Sequence, residues 1–123
     1  SVTVGDDIVT PDMVLGASRN GIKVSYSGDT RPCEAFLEAA RGSDVMVHEA
    51  TVESSLVDKA RTFGHSTAEE AARLATSAGA RKLYLVHFSG RYEDPSVLLD
   101  EAIRYFPESY LAADLMVIDI RKQ

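Results

Sequence analysis

The chain has 123 residues, of which 45% are hydrophobic and 26% charged, and its formal net charge is −6. That is the balance of one ordinary soluble domain. No apolar run approaches the roughly 20 residues of a membrane-spanning helix, no signal-peptide pattern opens the chain, and the acidic balance excludes a broad nucleic-acid surface, whose affinity comes from basic patches. A cytoplasmic protein with no membrane partner is therefore expected, and any contact with RNA or phosphate must be local or metal-assisted. The single cysteine, Cys33, cannot form an intrachain disulfide and suits a reducing compartment. With no activating base nearby in sequence, it reads as an inert thiol at a helix start.

In chain order, Val2 to Val9 alternates weakly and ends at Thr10-Pro11, which predicts an edge strand. The chain opens in mid-pattern without a methionine and reads as a cut edge. Arg19-Asn20-Gly21 is a turn, and Ile22 to Ser27 is the next strand. Pro32 is placed to open a helix with Phe36, Leu37 and Ala40 on its apolar face and Gly42 as its stop. "DVMVHEA" reads as a short buried strand ending in His48 and Glu49, and Leu56 to Phe63 as helical. In "GHSTAEEAARLATSAGA", Ser66 and Glu69 have capping-box spacing, Gly79 marks the end, and Ala71, Ala72, Leu74, Ala75 and Ala78 form the buried face. "KLYLVHF" is a strand ending at His87. Asp94-Pro95 then caps a helix with Leu98, Leu99, Ala102, Ile103 and Phe106 inward, and "LMVIDI" closes the sheet.

Strand and helix alternate, which predicts an α/β unit with a parallel sheet. Asp29, His48, Glu49 and His87 then fall at the carboxyl edges of their strands, where open α/β sheets bind ligands. His65 joins that edge if the helix that follows it runs back across the sheet. Carboxylate and imidazole suit zinc or a related divalent ion, and one aspartate can bridge two such ions. Asp29 and His87 alone are too few ligands for a closed site. His48 reads as a supporting residue beside the functional Glu49. For Thr30, Arg31, Ser66 and Ser89, turn chemistry, capping or ion pairing compete with substrate contact.

Four motifs, "SGDTRP", "HEAT" (residues 48–51), "GHST" (64–67) and "HFSGRY" (87–92), occur in that order. Together with the lead-in "TPDMVLGASRNGIKVSYSGDTRP", they resemble ribonuclease Z, the tRNA 3′-processing endonuclease family of the metallo-β-lactamase superfamily. The resemblance covers nearly the whole chain. It implies half of an αββα sandwich, with one sheet covered by helices, spanning residues 1–123. It also implies a zinc-dependent endoribonuclease, with manganese or magnesium as alternatives, that removes the 3′ trailer of precursor tRNA by hydroxide attack on a phosphodiester. Asp29 matches the aspartate bridging two zinc ions and His87 a histidine ligand. Glu49 and His65 match a pair in which the carboxylate orients an imidazole that helps to protonate the leaving 3′ oxygen. Thr30, Arg31, Ser66, Ser89 and Arg91 are donors suited to substrate phosphate, and Arg91 matches a family arginine with that role.

The family's H-x-H-x-D-H motif is absent. The chain therefore reads as a carboxyl-terminal fragment, inactive alone, whose partners are precursor tRNA and the missing amino-terminal half of the same domain. The exposed sheet face of such a half favours a homodimer. Two other readings stand beside this one: a metal-dependent hydrolase of another phosphodiester or small ester, and a non-catalytic interaction module that has lost the first metal motif.

Overall fold

The computed structural model describes residues 2–4, 7–9, 21–113, 116–118 and 120. Val2–Val4 (β1) and Asp7–Val9 (β2) pair antiparallel with Val4 opposite Asp7, so the predicted single edge strand is instead a hairpin. An alternating pattern alone cannot show such a reversal. Of the predicted turn at residues 19–21, Arg19 and Asn20 lie outside the described residues.

The second sheet is parallel throughout. Its strands are Val24–Tyr26 (β3), Val45–Glu49 (β4), Lys82–Val86 (β5) and Ser109–Leu111 (β6), in the spatial order β3-β4-β5-β6. Because the strands follow one another in sequence order, right-handed crossovers place every connecting helix on the same face. Those helices are Glu34–Ala40 (α1), Val57–Thr62 (α2, entered through a 3₁₀ turn at Ser54–Leu56), Ala68–Ala78 (α3) and Ser96–Ile103 (α4). The core lies between them and the sheet: Met46, Leu83 and Leu85 pack against Ala40, Ala71, Ala75, Leu98 and Ala102, all fully buried. Alanines on α3 let its backbone approach the sheet closely.

The other face carries a row in register, Tyr26–Val47–Tyr84–Tyr110, with the Tyr84 and Tyr110 rings stacked at 5.2 Å. Val24 and Tyr26 on this face are 54% and 67% exposed, an unusual state for apolar residues on a sheet.

Several boundaries differ from the sequence expectation, each for a local reason. Helix α1 begins at Glu34 with Cys33 as its N-cap, so Pro32 lies one residue before the cap rather than in the first turn. The capping box of α3 is one residue later than expected. Thr67 accepts from the Glu70 amide at 3.1 Å while Glu70 accepts from the Thr67 amide at 2.9 Å, and Ser66 is left free for another bond. Gly79 closes that helix in the left-handed conformation, as expected. Ile103 is 40% exposed rather than inward, because Leu98 and Ala102, four residues apart, define the buried stripe of α4. Among the described residues the last strand of the sheet is Ser109–Leu111, whereas of the expected "LMVIDI" Leu115 and Asp119 lie outside the described residues. A short return after α4 delivers the chain to the sheet, where Leu83 N–H donates to Glu108 O at 2.9 Å and Ala112 N–H to Leu85 O at 3.0 Å. Met116 and Val117 fall outside the strand and are exposed. No helix among the described residues is long and apolar enough to cross a membrane.

Two stability predictions arise here. Thr67→Ala removes the cap and is expected to lower unfolding free energy by about 1 kcal/mol in a urea titration. His48 lies on the helix-covered face, fully buried, edge-on to Phe36 at 5.5 Å, with Nε2 lacking a partner. Burial holds its pKa below the ordinary imidazole value, against weaker opposing effects from Glu49 and Glu70. The unfolded chain therefore binds the extra proton first, so stability is unaffected above about pH 6.5 and falls as pH drops from there toward the depressed folded value. In His48→Phe the acid-side fall in the urea midpoint should be shallower, and equal slopes in both proteins would disprove the assignment.

Candidate metal and proton-transfer site

Three successive strands end on the same side of the sheet, and each delivers one functional group at or just after its last residue. Asp29 follows β3, Glu49 is the last residue of β4, and His87 follows β5. Side chains alternate along β4, so Glu49 faces the site while His48 faces the helices. His65 arrives from the turn before α3, two residues ahead of its cap. The loop after β4 ties these pieces together. Thr51 N–H donates to Ser66 O at 3.0 Å, Ser89 N–H to Thr51 O at 2.9 Å, and Val52 bridges Thr67 in parallel register.

Glu49 is the hub. Its side chain is completely buried, and both carboxylate oxygens are occupied. Oε1 accepts from the Thr30 amide at 2.6 Å, and Oε2 accepts from the Thr51 hydroxyl at 2.6 Å and from His65 Nδ1 at 2.8 Å. A buried carboxylate supplied with these donors is stable as an acceptor and has little capacity left for a metal. Although Glu49, His65 and His87 offer ligand atoms within 4.8 Å of one another, Glu49 is better described as the group that orients the two imidazoles.

The same network sets both histidine tautomers. Since the Thr51 hydroxyl proton is directed at Glu49, its oxygen can only accept from His87 Nδ1, 3.0 Å away. His87 therefore carries its proton on Nδ1 and presents the Nε2 lone pair outward, 3.6 Å from Asp29 Oδ2. Two ligands of one tetrahedral zinc ion at ordinary bond lengths stand about 3.4 Å apart, so this imidazole–carboxylate pair fits a divalent ion. His65, with Nδ1–H on Glu49, likewise turns Nε2 away from the carboxylate, and its ring stacks on that of His87 at 5.1 Å. His87 adopts φ 60° and is the one described non-glycine residue in the left-handed region. Such strain is characteristic of functional positions.

Asp29, Glu49, His65 and His87 are thus brought together as expected. The donors expected for substrate divide. Arg31 is exposed on the loop after Asp29, and Ser89 and Arg91 line a cleft beside His65. Thr30 uses its amide on Glu49, while its hydroxyl donates to Arg31 O at 2.7 Å. Ser66 requires correction. It is fully buried and does not cap α3; its hydroxyl donates to Thr30 O at 2.6 Å, bracing the Asp29 loop against the His65 turn. That burial leaves it no surface for substrate. Thr51, not among the residues expected from the sequence, also belongs to this network. Its position in "HEAT", two residues past a strand-end glutamate, was the available signal.

A parallel sheet whose strand ends assemble carboxylates and imidazoles at one edge defines a class. A family model for the beta-lactamase superfamily domain matches residues 11–88, and the chain belongs to that superfamily. Among curated proteins it is similar to the ribonuclease Z of Methanothermobacter thermautotrophicus, at 48% identity over 120 residues, covering 98% of this chain and 39% of that protein. The ribonuclease Z of Ignicoccus hospitalis is 54% identical over 101 residues, covering 82% of this chain and 34% of that one. Among solved structures, the short form of human tRNase Z superimposes with a TM-score of 0.66 at 34% identity, over 83% of this chain and 35% of that chain. The chain therefore spans little more than a third of the length of these relatives.

Proposed function

We propose that this chain is the carboxyl-terminal part of a ribonuclease Z-type endoribonuclease that removes the 3′ trailer of precursor tRNA in the cytoplasm. The observation that carries this reading is the network in which one buried carboxylate, Glu49, orients His65 toward the cleft and, through Thr51, His87 toward Asp29. Asp29 and His87 would hold divalent metal, zinc by the chemistry of the donors, with further ligands from the amino-terminal half. When bound, the metal would supply an activated water and positive charge beside the scissile phosphate.

The chain's own residues do the rest. Glu49 holds Nδ1–H of His65 and stabilises the imidazolium, so that Nε2 can deliver a proton to the departing 3′ oxygen. Arg31, Ser89 and Arg91 provide donors for phosphate oxygens, the arginines through planar forks. The sheet face on which Val24 and Tyr26 are exposed is where the amino-terminal half would dock, and without it the same face would drive self-association.

Precursor tRNA cleavage with zinc or manganese tests this. The chain alone is expected to give no turnover, and the chain recombined with the amino-terminal half of the domain should release a tRNA with a free 3′-hydroxyl. Robust cleavage by the chain alone, or none by the recombined halves, would overturn the reading.

A further inference from the structure

Beside His65 lies a cleft of about 210 Å³ whose lining includes Val52, Lys59, Phe63, Ser89 and Arg91, but neither Asp29 nor His87. Phe63 is 68% exposed at its rim. Its backbone is nevertheless fixed, because α2 stops there in a Schellman arrangement. Gly64 adopts φ 73°, its amide donates to Arg61 O at 3.3 Å, and the His65 amide donates to Ala60 O at 2.8 Å. The aromatic ring and the imidazole are thereby carried on either side of one tight stop.

The cleft is lined by two cations, Lys59 and Arg91. Arg41, Arg61, Arg73 and Arg81 are each committed to an ion pair with a carboxylate. Lys59 and Arg91, which line the cleft, are in no such pair, and neither are Lys23, Arg31, Lys82 and Arg104 elsewhere among the described residues. On a chain of net charge −6, two uncommitted cations beside an exposed aromatic ring make a small local match to an anionic, π-faced ligand. Val52 and Ala60 give the cleft an apolar lining.

We propose that this cleft is a nucleotide subsite in which Phe63 stacks on a base of single-stranded RNA and Lys59, with Arg91, contacts the flanking phosphate. The assignment of which nucleotide rests on the role given above to His65: the residue facing the leaving 3′ oxygen lines the cleft, so the occupant is the nucleotide that carries that oxygen. Stacking on a phenyl face does not distinguish bases, so the subsite would accept any of them.

The test is a titration of the full 123-residue chain with a short single-stranded RNA bearing 2-aminopurine at its 3′ end, read by fluorescence. Quenching on binding is expected. Phe63→Leu, an exposed substitution, should weaken binding about tenfold and remove the quench, while Phe63→Trp keeps both. Lys59→Ala should reduce the slope of log affinity against log salt by about 0.7 and leave the quench at saturation. Wild-type binding and quenching by Phe63→Leu, or no binding by the chain, would overturn the subsite. Phe63-dependent binding beside recombined halves that leave precursor tRNA intact would uphold the subsite and reject the endonuclease reading. Cleavage by Phe63→Leu recombined halves with an unchanged KM would do the reverse.

Discussion

Glu49→Gln is expected to lower precursor tRNA cleavage by the recombined halves by about 10²- to 10⁴-fold, the range of a lost general acid. The size follows from the donors around the carboxylate. An amide has one acceptor oxygen, whereas Glu49 receives the Thr30 amide on one oxygen and the Thr51 hydroxyl with His65 Nδ1 on the other. With the amide nitrogen toward Thr30, two N–H groups oppose each other in a buried site. With it toward His65, the imidazole must carry its proton on Nε2 and Nδ1 must accept, so its orientation no longer follows from a charge. Either arrangement also leaves a buried polar group imperfectly paired, for about 1–3 kcal/mol of stability in a denaturant titration. Cleavage within threefold of the unsubstituted protein would show that His65 does not act through Glu49.

The second large effect is expected at Thr51. Thr51→Val keeps the shape but removes the acceptor for His87 Nδ1–H and one donor to Glu49. Loss of the partner that fixes a ligand histidine's tautomer typically costs 10- to 100-fold in metal affinity. Zinc competition with a chromophoric chelator should register that loss in the recombined halves, and Thr51→Ser should restore affinity because it returns the hydroxyl. Equal affinities for the valine and serine variants would remove Thr51 from the metal site.

Much of this arrangement was legible in the sequence because it depends on where strands end. Asp29, Glu49 and His87 each follow a short β-rich run, and the alternation of strand and helix requires parallel strands, so their convergence at one edge is a consequence of topology. Thr51 was harder to find, since its importance comes from one proton having a single destination, and spacing does not encode that. Ser66 misled because two adjacent hydroxyl residues precede α3 and either can be paired with a glutamate three positions on. The fold selected Thr67 and Glu70, which freed Ser66 to reach the Thr30 carbonyl. The last described strand falls before the expected one for a related reason. "LMVIDI" is the more apolar run, but the length of the return from α4 decides which residues meet Leu83 and Leu85. Phe63 was read only as the end of a helical stretch, because exposure beside a cleft is a property of three dimensions.

The left-handed backbone of His87 sets evolution's options at that position. A glycine would relax the chain there, since it alone adopts positive φ without a Cβ penalty. Selection for thermal robustness alone would therefore favour losing the imidazole, and if His87 holds metal as proposed, selection for chemistry must oppose that loss. A descendant released from catalysis should show the change first at this residue, with the fold becoming firmer as the site is lost.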